Sequence, residues 1–325
     1  MTEDADDGMT YAEAGVDIDQ SEAATAALIG ATEGFEGDFA GLLDIGDRYL
    51  ALAADGVGTK LLVAEAIDDY STIGIDCIAM NVNDLVAAGV RPVAFVDYLA
   101  VAEPDDETSE QIGEGLAEGA DRASVELVGG ETAVMPEVVK GLDIAGTCAG
   151  LAEKGALFPG EAEAGDALVG FPSSGIHSNG LTLARKAVTK NHEYTDPFPP
   201  NPDRSIAEEL LEPTRLYTDL LDPLREHDTH AAAHVTGGGW GNLTRMGEFR
   251  YEITDPFEAQ PVFEFVQQEG NVTDEEMHRT FNMGTGFVAA LDPADAEAVT
   301  AETDGRIIGE VQDGEEAVAI RGLEL

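Results

Sequence analysis

The sequence predicts a two-domain fold that mixes strands and helices, of the α/β (α+β) class. Three observations predict it. Short apolar runs of strand length alternate with segments of helical spacing along most of the chain. The gaps between them are short and carry few of the tight hairpin signals expected of an all-β protein. The 325 residues suit two domains of about 100–200 residues each. The Gly-, Glu- and Pro-rich stretch 158–167 marks the boundary, giving an N-terminal unit of residues 1–165 and a C-terminal unit of residues 166–325.

The elements follow in order. Met1–Gly8 is an acidic lead, and Ser21 can cap a short helix through Ile29. Tyr49–Ala54 reads as a buried strand and Leu61–Ala66 as the start of a helix. Ser71 or Thr72 opens a helix that runs to about Ala88 and is stopped by Gly89. In it Ile75, Ile78, Ala79, Val82, Leu85 and Val86 recur at helical spacing. Asn81 and Asp84, three apart, share a face, while Asn83 lies on another. Such polar residues are unfavourable in mid-helix and require a reason. Val93–Val101 is a strand, and Asp105–Ala123 a helix with an acidic first turn. Glu126–Val128 is a short strand ending in glycines, and Leu142–Ala152 another strand. The second half repeats the alternation. Asp166–Phe171 and Ala231–Val235 are strands, and Gly180–Val188 and Thr214–Glu226 are helices. Phe287–Leu291 and Arg306–Val311 are strands on either side of a helix at Asp292–Ala301. Tyr194–Asp203, with four prolines, reads as a surface loop.

The formal net charge is -48, from 65 acidic and 17 basic residues. Such a field repels nucleic acid and anionic membranes. It also repels nucleotides, so a nucleotide site needs local compensation by metal, backbone N–H groups or the few cations. The acids are spread along the chain rather than gathered in a tail. With so few lysines, this suggests a halophilic protein whose self-repulsion is screened by salt. Cys77 and Cys148 sit in apolar runs without metal-ligand spacing, as expected for free buried thiols in a reducing compartment. No apolar run reaches the roughly 18 residues of a membrane span, and the N-terminus is acidic. The expected location is cytoplasmic, with no membrane or nucleic-acid partner.

Ala54-Asp55-Gly56-Val57-Gly58-Thr59-Lys60 joins the Tyr49 strand to the Leu61 helix. Its glycines let backbone N–H groups approach an anion, and the following helix N-terminus favours negative charge. Asp55 adds a carboxylate that could hold Mg²⁺ beside phosphates. The spacing is not that of a P-loop, and a tight turn without a ligand also fits it. Further small or polar clusters stand at predicted strand ends: Asn81–Asp84, Gly129–Pro136, Ser173–Asn179, Thr236–Gly239 and Asn282–Gly286. If they converge, they suit phosphoryl transfer with a divalent metal. Asp55, Asp84 and Glu131 are the candidate metal carboxylates; helix capping and solvent exposure are the plainer readings of Asp55 and Asp84. Lys60 is a point charge for phosphate or a surface lysine. His177, among Ser173, Ser174, Ser178 and Asn179, is a general acid–base, a phosphate ligand or an exposed loop residue. His234 reads as a hydrogen-bonded core histidine, and His278 as structural. There is no serine nucleophile elbow and no zinc spacing.

These segments together resemble the phosphoribosylformylglycinamidine cyclo-ligases, the AIR synthetases of purine biosynthesis. The likeness is carried by Tyr11–Asp19, Asp55–Lys60, Thr72–Asp76, Met80–Leu85, Leu127–Pro136, Ser173–Gly180, Pro213–Arg215, His234–Gly239 and Glu276–Gly286, in family order from about residue 10 to 320. The resemblance implies a homodimer whose N-terminal sheets close a shared barrel, with a C-terminal α/β domain alongside. It implies ATP-dependent closure of formylglycinamidine ribonucleotide to aminoimidazole ribonucleotide. ATP would be held by Asp55, Gly56, Val57, Gly58, Thr59, Lys60, Glu131 and Thr132, with Mg²⁺ on Asp55 and Asp84. The ribonucleotide would meet Ser174, Gly175, His177, Ser178, Asn179, Gly237 and Gly238, and His177, Asp84 and Asn179 would serve catalysis. K⁺ is either a specific ligand or only the solvent ion.

The chain departs from the family pattern at three places. Val134 and Gly241 stand where relatives usually carry Glu, and no Lys or Arg precedes Arg48. Related ATP-using enzymes fit less well. A selenophosphate synthetase needs a reactive residue in an N-terminal glycine-rich loop. A thiamine-phosphate kinase usually shows a shorter Asp-Asp motif. A non-catalytic nucleotide-sensing dimer is the alternative of a different class.

Overall fold

The computed structural model describes residues 8–17 and 39–325, with isolated positions between. The helix expected over Ser21–Ile29 lies outside the described residues. The first half builds one sheet from β1 (Gly41–Asp44), β2 (Arg48–Gly56), β3 (Arg91–Val101), β4 (Glu126–Val134) and β5 (Leu142–Glu153), in the order β1-β2-β5-β3-β4. Only the β3–β4 pair is parallel. A parallel pair needs a crossover, and the fourth helix provides it. The helices of this half are α1 (Tyr11–Ala14), α2 (Leu61–Ile67), α3 (Ile73–Ala87) and α4 (Asp106–Ala123).

Strand alternation decides which face the helices cover. Ala51 and Ala53 of β2, Phe95 and Leu99 of β3, and Ile144 and Cys148 of β5 are buried. α3 packs against these strands and is apolar on nearly every side, with every residue but Asp84 buried. The opposite face stays open: Leu52, Val96 and Tyr98 are 46%, 39% and 45% exposed. α3 and α4 cross closely through glycines. A Cβ on Gly74 would overlap the backbone of Gly115 and Leu116, and one on Gly115 would crowd Ser71 and Gly74.

The second half is a seven-stranded sheet. Its strands are β6 (Ala167–Pro172), β9 (Thr229–His234), β10 (Arg250–Ile253), β11 (Thr285–Leu291), β12 (Arg306–Gln312), β13 (Ala317–Ile320) and β14 (Leu323–Glu324). They lie in the order β14-β13-β10-β12-β6-β11-β9. A separate hairpin pairs β7 (Pro197–Phe198) with β8 (Asn201–Ser205). The helices are α5 (Leu181–Val188), α6 (Ile206–Leu210), α7 (Leu221–Glu226), α8 (Pro261–Gly270), α9 (Asp274–Thr280) and α10 (Pro293–Glu302).

Several expectations need correction. Gly129–Val134 is not a loop after a short strand but the body of β4, paired along its length with β3. Residues 214–217 are not helical. Helix begins only at Thr218, because side chains of α3 take the hydrogen bonds of this backbone instead. The proline-rich surface loop contains the small hairpin. The two cysteines are free and buried, as expected. Strands β1, β10, β13 and β14 and helices α1, α6, α8 and α9 have no counterpart in the sequence reading.

Gly74→Ala should lower the unfolding free energy by about 1–3 kcal/mol or more, because backbone cannot yield as a side chain can. Gly113, exposed in mid-α4 with open space around its Cβ position, should behave oppositely. Gly113→Ala should add about 0.5–1 kcal/mol. Denaturant titrations of both variants in high salt check the pair.

Candidate active site

The turn after β2 is held from α3. Asn81 is fully buried; its Oδ1 accepts the Asp55 N–H at 2.8 Å, and its Nδ2 donates to the Asp55 carbonyl at 3.1 Å and to the Cys77 carbonyl at 2.9 Å. This double clamp sets the Asp55 side chain at the start of the glycine turn, where it reaches solvent. Burial of its surroundings and then the neighbouring Asp84 carboxylate push the Asp55 carboxyl up to about 6. Asp84 is the one partly exposed residue of α3, and its Oδ1 accepts from His234 Nδ1 at 2.9 Å.

The middle of the turn runs inward. Val57 is buried and donates its N–H to the Ile144 carbonyl. Gly58 has φ +68, in the left-handed region that favours glycine. Thr59 Oγ1 meets Thr182 Oγ1 of α5 at 2.8 Å. Lys60 has no exposed surface. Its Nζ pairs with Asp76 Oδ2 at 2.8 Å and donates to the Glu212 carbonyl at 2.7 Å. Asp76 Oδ1 in turn accepts both the N–H and the hydroxyl of Thr214, at 2.7 and 2.6 Å. With its proton given to Asp76, Thr214 Oγ1 accepts from Ser178 Oγ at 3.1 Å. The lysine expected on a phosphate is therefore committed to a buried chain that ends at Ser178. The cause is local: Asp76 has no other cation beside it among the described residues, and burying it alone is costly.

His177 takes φ +66 and is buried. Its Nε2 accepts the Ser174 N–H at 3.1 Å, so the proton sits on Nδ1, which has no partner among the described residues. Burial above all, with the nearby charges of Lys60 and Arg215, holds its pKa well below the usual histidine value. The ring is neutral and packs against Tyr217, 6.4 Å between centroids. Gly286 has to be glycine here, since a Cβ would overlap the Tyr217 hydroxyl and the His177 ring. Ser174 Oγ donates to the Pro213 carbonyl, and the Gly175 carbonyl accepts from Asn282. Asn179 is partly open, with its amide beside Met80 and within 3.3 Å of a Cβ position on Gly237.

Asp55, Asp84, Ser174–Asn179 and Thr236–Gly238 thus gather where the two sheets meet. Glu131 and Thr132 stand apart on the exposed edge strand β4. Beside Gly238 opens a cavity of about 440 Å³, lined among others by Tyr11, Asp17, Asn242, Arg245 and Arg279.

Sequence reasoning missed Asp76 and the partners of Asn83 and His234. One signal was available: Asp76 and Asn83 are seven apart, on one face of an otherwise apolar helix. It also missed Asp97 of β3, which lies in register with Gly146 opposite Asp55 on the helix-covered face. Nothing in the Val93–Val101 run distinguishes that aspartate.

Two family models match the chain: AIR synthase related protein, N-terminal domain, over residues 37–152, and AIR synthase related protein, C-terminal domain, over residues 163–321. A phosphoribosylformylglycinamidine cyclo-ligase of Methanococcoides burtonii is 46% identical over 98% of this chain and 98% of its own length. The chain belongs to this family. The cyclo-ligase of Methanosarcina acetivorans is 47% identical over 93% of this chain and 95% of its own. Among solved structures, one described as "AaThiL complexed with AMPPCP and TMP" shares the fold. Its TM-score is 0.70 at 18% identity, covering 98% of this chain and 96% of that one. The cyclo-ligase family therefore accounts for the order in which the glycine and carboxylate corners occur, and the folded chain brings most of them to one place.

Lys60→Met should cost about 3–5 kcal/mol, because Asp76 is left buried without its cation. Lys60→Met combined with Asp76→Asn should recover part of that loss, since the amide can still accept from Thr214. Unfolding curves in high salt for both variants read this directly.

Proposed function

We infer that the protein is an ATP-dependent cyclo-ligase of purine biosynthesis that closes formylglycinamidine ribonucleotide to aminoimidazole ribonucleotide, ADP and phosphate. The observation that carries this is the meeting of Asp55 and Asp84 at a glycine turn, in a chain that aligns along its length with named cyclo-ligases. Amide oxygen is a poor leaving group. Transfer of the γ-phosphoryl group of ATP to the formyl oxygen makes it a good one. The amidine nitrogen then attacks the formyl carbon, the carbon–oxygen bond breaks, phosphate departs and the amidine nitrogen loses a proton. The protein has to hold two nucleotides in line and exclude water.

The residues fit a bound Mg²⁺. Two carboxylates lie close enough for one to raise the pKa of the other, a repulsion that a divalent cation relieves. Among the described residues no group of three or more His, Cys, Asp or Glu forms a complete metal cage. That suits an ion taking one or two carboxylates and completing its shell with phosphate oxygens and water. Asp55 and Asp84 would hold it, and when bound it would neutralise phosphate charge. Of the Gly56–Gly58 backbone, the Gly58 N–H would be left to face the ATP phosphates, since Gly56 and Val57 donate to Asp55 Oδ1 and the Ile144 carbonyl, while Lys60 braces the turn from beneath. Glu131 and Thr132 remain further ATP candidates only if a second subunit brings β4 to the nucleotide. Asn179, Ser174, Gly175, Gly237 and Gly238 would meet the ribonucleotide. The cavity beside Gly238 has room for its ribose phosphate, with Arg245 and Arg279 at hand. Buried His177 and Ser178 would shape the loop around the reacting amide, with the His177 Nδ1–H a donor that has no partner among the described residues.

The homodimer is part of this reading. The open face with Leu52, Val96 and Tyr98 is the surface that a second sheet would cover to close a barrel. No helix among the described residues is long and apolar enough to cross a membrane. A cytoplasmic, halophilic setting is in keeping with the charge of -48. The division into units 1–165 and 166–325 would give one unit to dimerisation and ATP and the other to the ribonucleotide loops.

Purified protein with formylglycinamidine ribonucleotide, ATP and Mg²⁺ in high KCl should release ADP and the imidazole product together. Asp84→Ala should lower kcat by about 100-fold or more, roughly 2.7 kcal/mol of barrier, with the dimer still folded. Binding of ATP without ring closure would favour the nucleotide-sensing dimer instead. The dimer has its own test. Val96→Asp with Tyr98→Glu should yield monomers by light scattering, and an unchanged dimer would move the interface elsewhere.

A further inference from the structure

His234 closes β9 and is completely buried, yet both ring nitrogens are engaged. The orientation of Asn83 decides how. Its Oδ1 accepts the Tyr217 N–H at 2.9 Å, so its Nδ2 is the donor, to the Arg215 carbonyl at 2.9 Å and to His234 Nε2 at 3.3 Å. Nε2 is therefore an acceptor, the ring proton sits on Nδ1, and that proton is given to Asp84 Oδ1 at 2.9 Å. The Tyr217 ring packs against the imidazole, 6.2 Å between centroids, and fixes its plane. Asp84 Oδ2 has no hydrogen-bond partner among the described residues, on a side chain that is 20% exposed.

We propose that His234 is a positioning residue for the ring-closing reaction. Held by Asn83 in one tautomer, it fixes one oxygen of Asp84 so that the other faces the Asp55 turn ready for a divalent cation. This rests on the reading of Asp84 as a Mg²⁺–phosphate carboxylate. The physical need is plain. Asp55 and Asp84 repel each other when no cation lies between them, and a free Asp84 would rotate away. A neutral N–H donor opposes that rotation without adding a positive charge that would compete with the metal. Partners of this kind commonly alter metal affinity by about 10–100-fold when removed. The arrangement also ties the carboxylate to the base of the Thr236–Gly239 loop, so loop and metal oxygen are set together.

Two readouts test this. In metal-free protein, ¹⁵N NMR of the histidine rings should show His234 neutral and protonated on Nδ1; protonation on Nε2 overturns the proposal. Second, Mg²⁺ is titrated against binding of a non-hydrolysable ATP analogue. His234→Leu should raise the half-saturating Mg²⁺ about tenfold or more, within the range for such partners. His234→Asn, whose amide nitrogen can stand near the Nδ1 position, should remain close to wild type. Equal loss in both variants would mark a merely structural residue and overturn it. Asp84→Asn separates the layers. If that variant keeps wild-type Mg²⁺ dependence, the assignment of Asp84 fails and the inference with it. If Asp84→Asn loses it while His234→Leu keeps it, the assignment stands and the inference alone is overturned.

Discussion

The structure depends on one apolar helix that carries four polar side chains inward. Asp76, Asn81, Asn83 and Asp84 of α3 each reach a different segment: Thr214 with Lys60, the Asp55 backbone, residues 215–217, and His234. A buried polar group left unpaired costs on the order of 1–3 kcal/mol, and more if charged. Because all four are paired, the least costly arrangement of the chain is the one in which these segments meet around α3. Apolar packing alone tolerates sliding, whereas a hydrogen-bonded network specifies geometry. The Asn81 clamp places a turn of the first sheet, and the Asn83 and Asp84 bonds place a strand end of the second.

The electrostatics of the site follow from the same network. The chain has 17 basic residues against 65 acidic ones, and Lys60, which stands in the turn, is buried on Asp76. In the proposed reading, phosphate compensation from this corner then falls to backbone N–H groups and to a cation that Asp55 and Asp84 would hold. His177 is held neutral by a backbone N–H and burial, and the tautomer proposed for His234 leaves that ring without a second proton. Neither ring adds positive charge where a metal has to sit. Low surface basicity therefore does not prevent a nucleotide site, because dipoles and the proposed Mg²⁺ would supply the compensation.

Much of this was legible in the sequence and some was not. The glycine turn, the α3 span and its stop at Gly89 were readable because each rests on local chemistry: strand, φ-permissive residue, helical spacing. Asp55 stood out as a carboxylate beside glycines, and Asp84 as a polar residue in the middle of an apolar helix. The burial of Lys60 did not, since its partner Asp76 and the Glu212 carbonyl are distant in sequence and only the fold brings them near. Thr214–Leu216 looked helical on composition, but tertiary hydrogen bonds from Asp76 and Asn83 overrode that preference. The glycines of β4 resembled a loop because pairing along a neighbouring strand leaves no local mark. His234 was read as a hydrogen-bonded core residue; it is one, but its bond to Asp84 could not be seen from an apolar strand.

The two halves are interlocked beyond their covalent link. Residues at the N-terminal end reach across to the second half: Met9 N–H donates to the Gly270 carbonyl, and Tyr11 N–H donates to Glu276 at 2.6 Å. Helix α1 also packs on α5, just after Ser173–Asn179. The Lys60–Asp76–Thr214 chain and the Thr59–Thr182 contact add a second seam. One buried apolar core runs through both halves, so separating them would expose that surface to water as well as break these bonds, and a hinge between them would carry a high cost. The corners that would hold ATP and the ribonucleotide are therefore set before either ligand arrives. For a reaction in which two bound nucleotides must meet in line, such prior placement lowers the barrier by removing the entropy of alignment from the chemical step. Any closure over the substrates then belongs to short segments such as the Thr236–Gly239 loop, whose base His234 anchors, rather than to motion of whole domains.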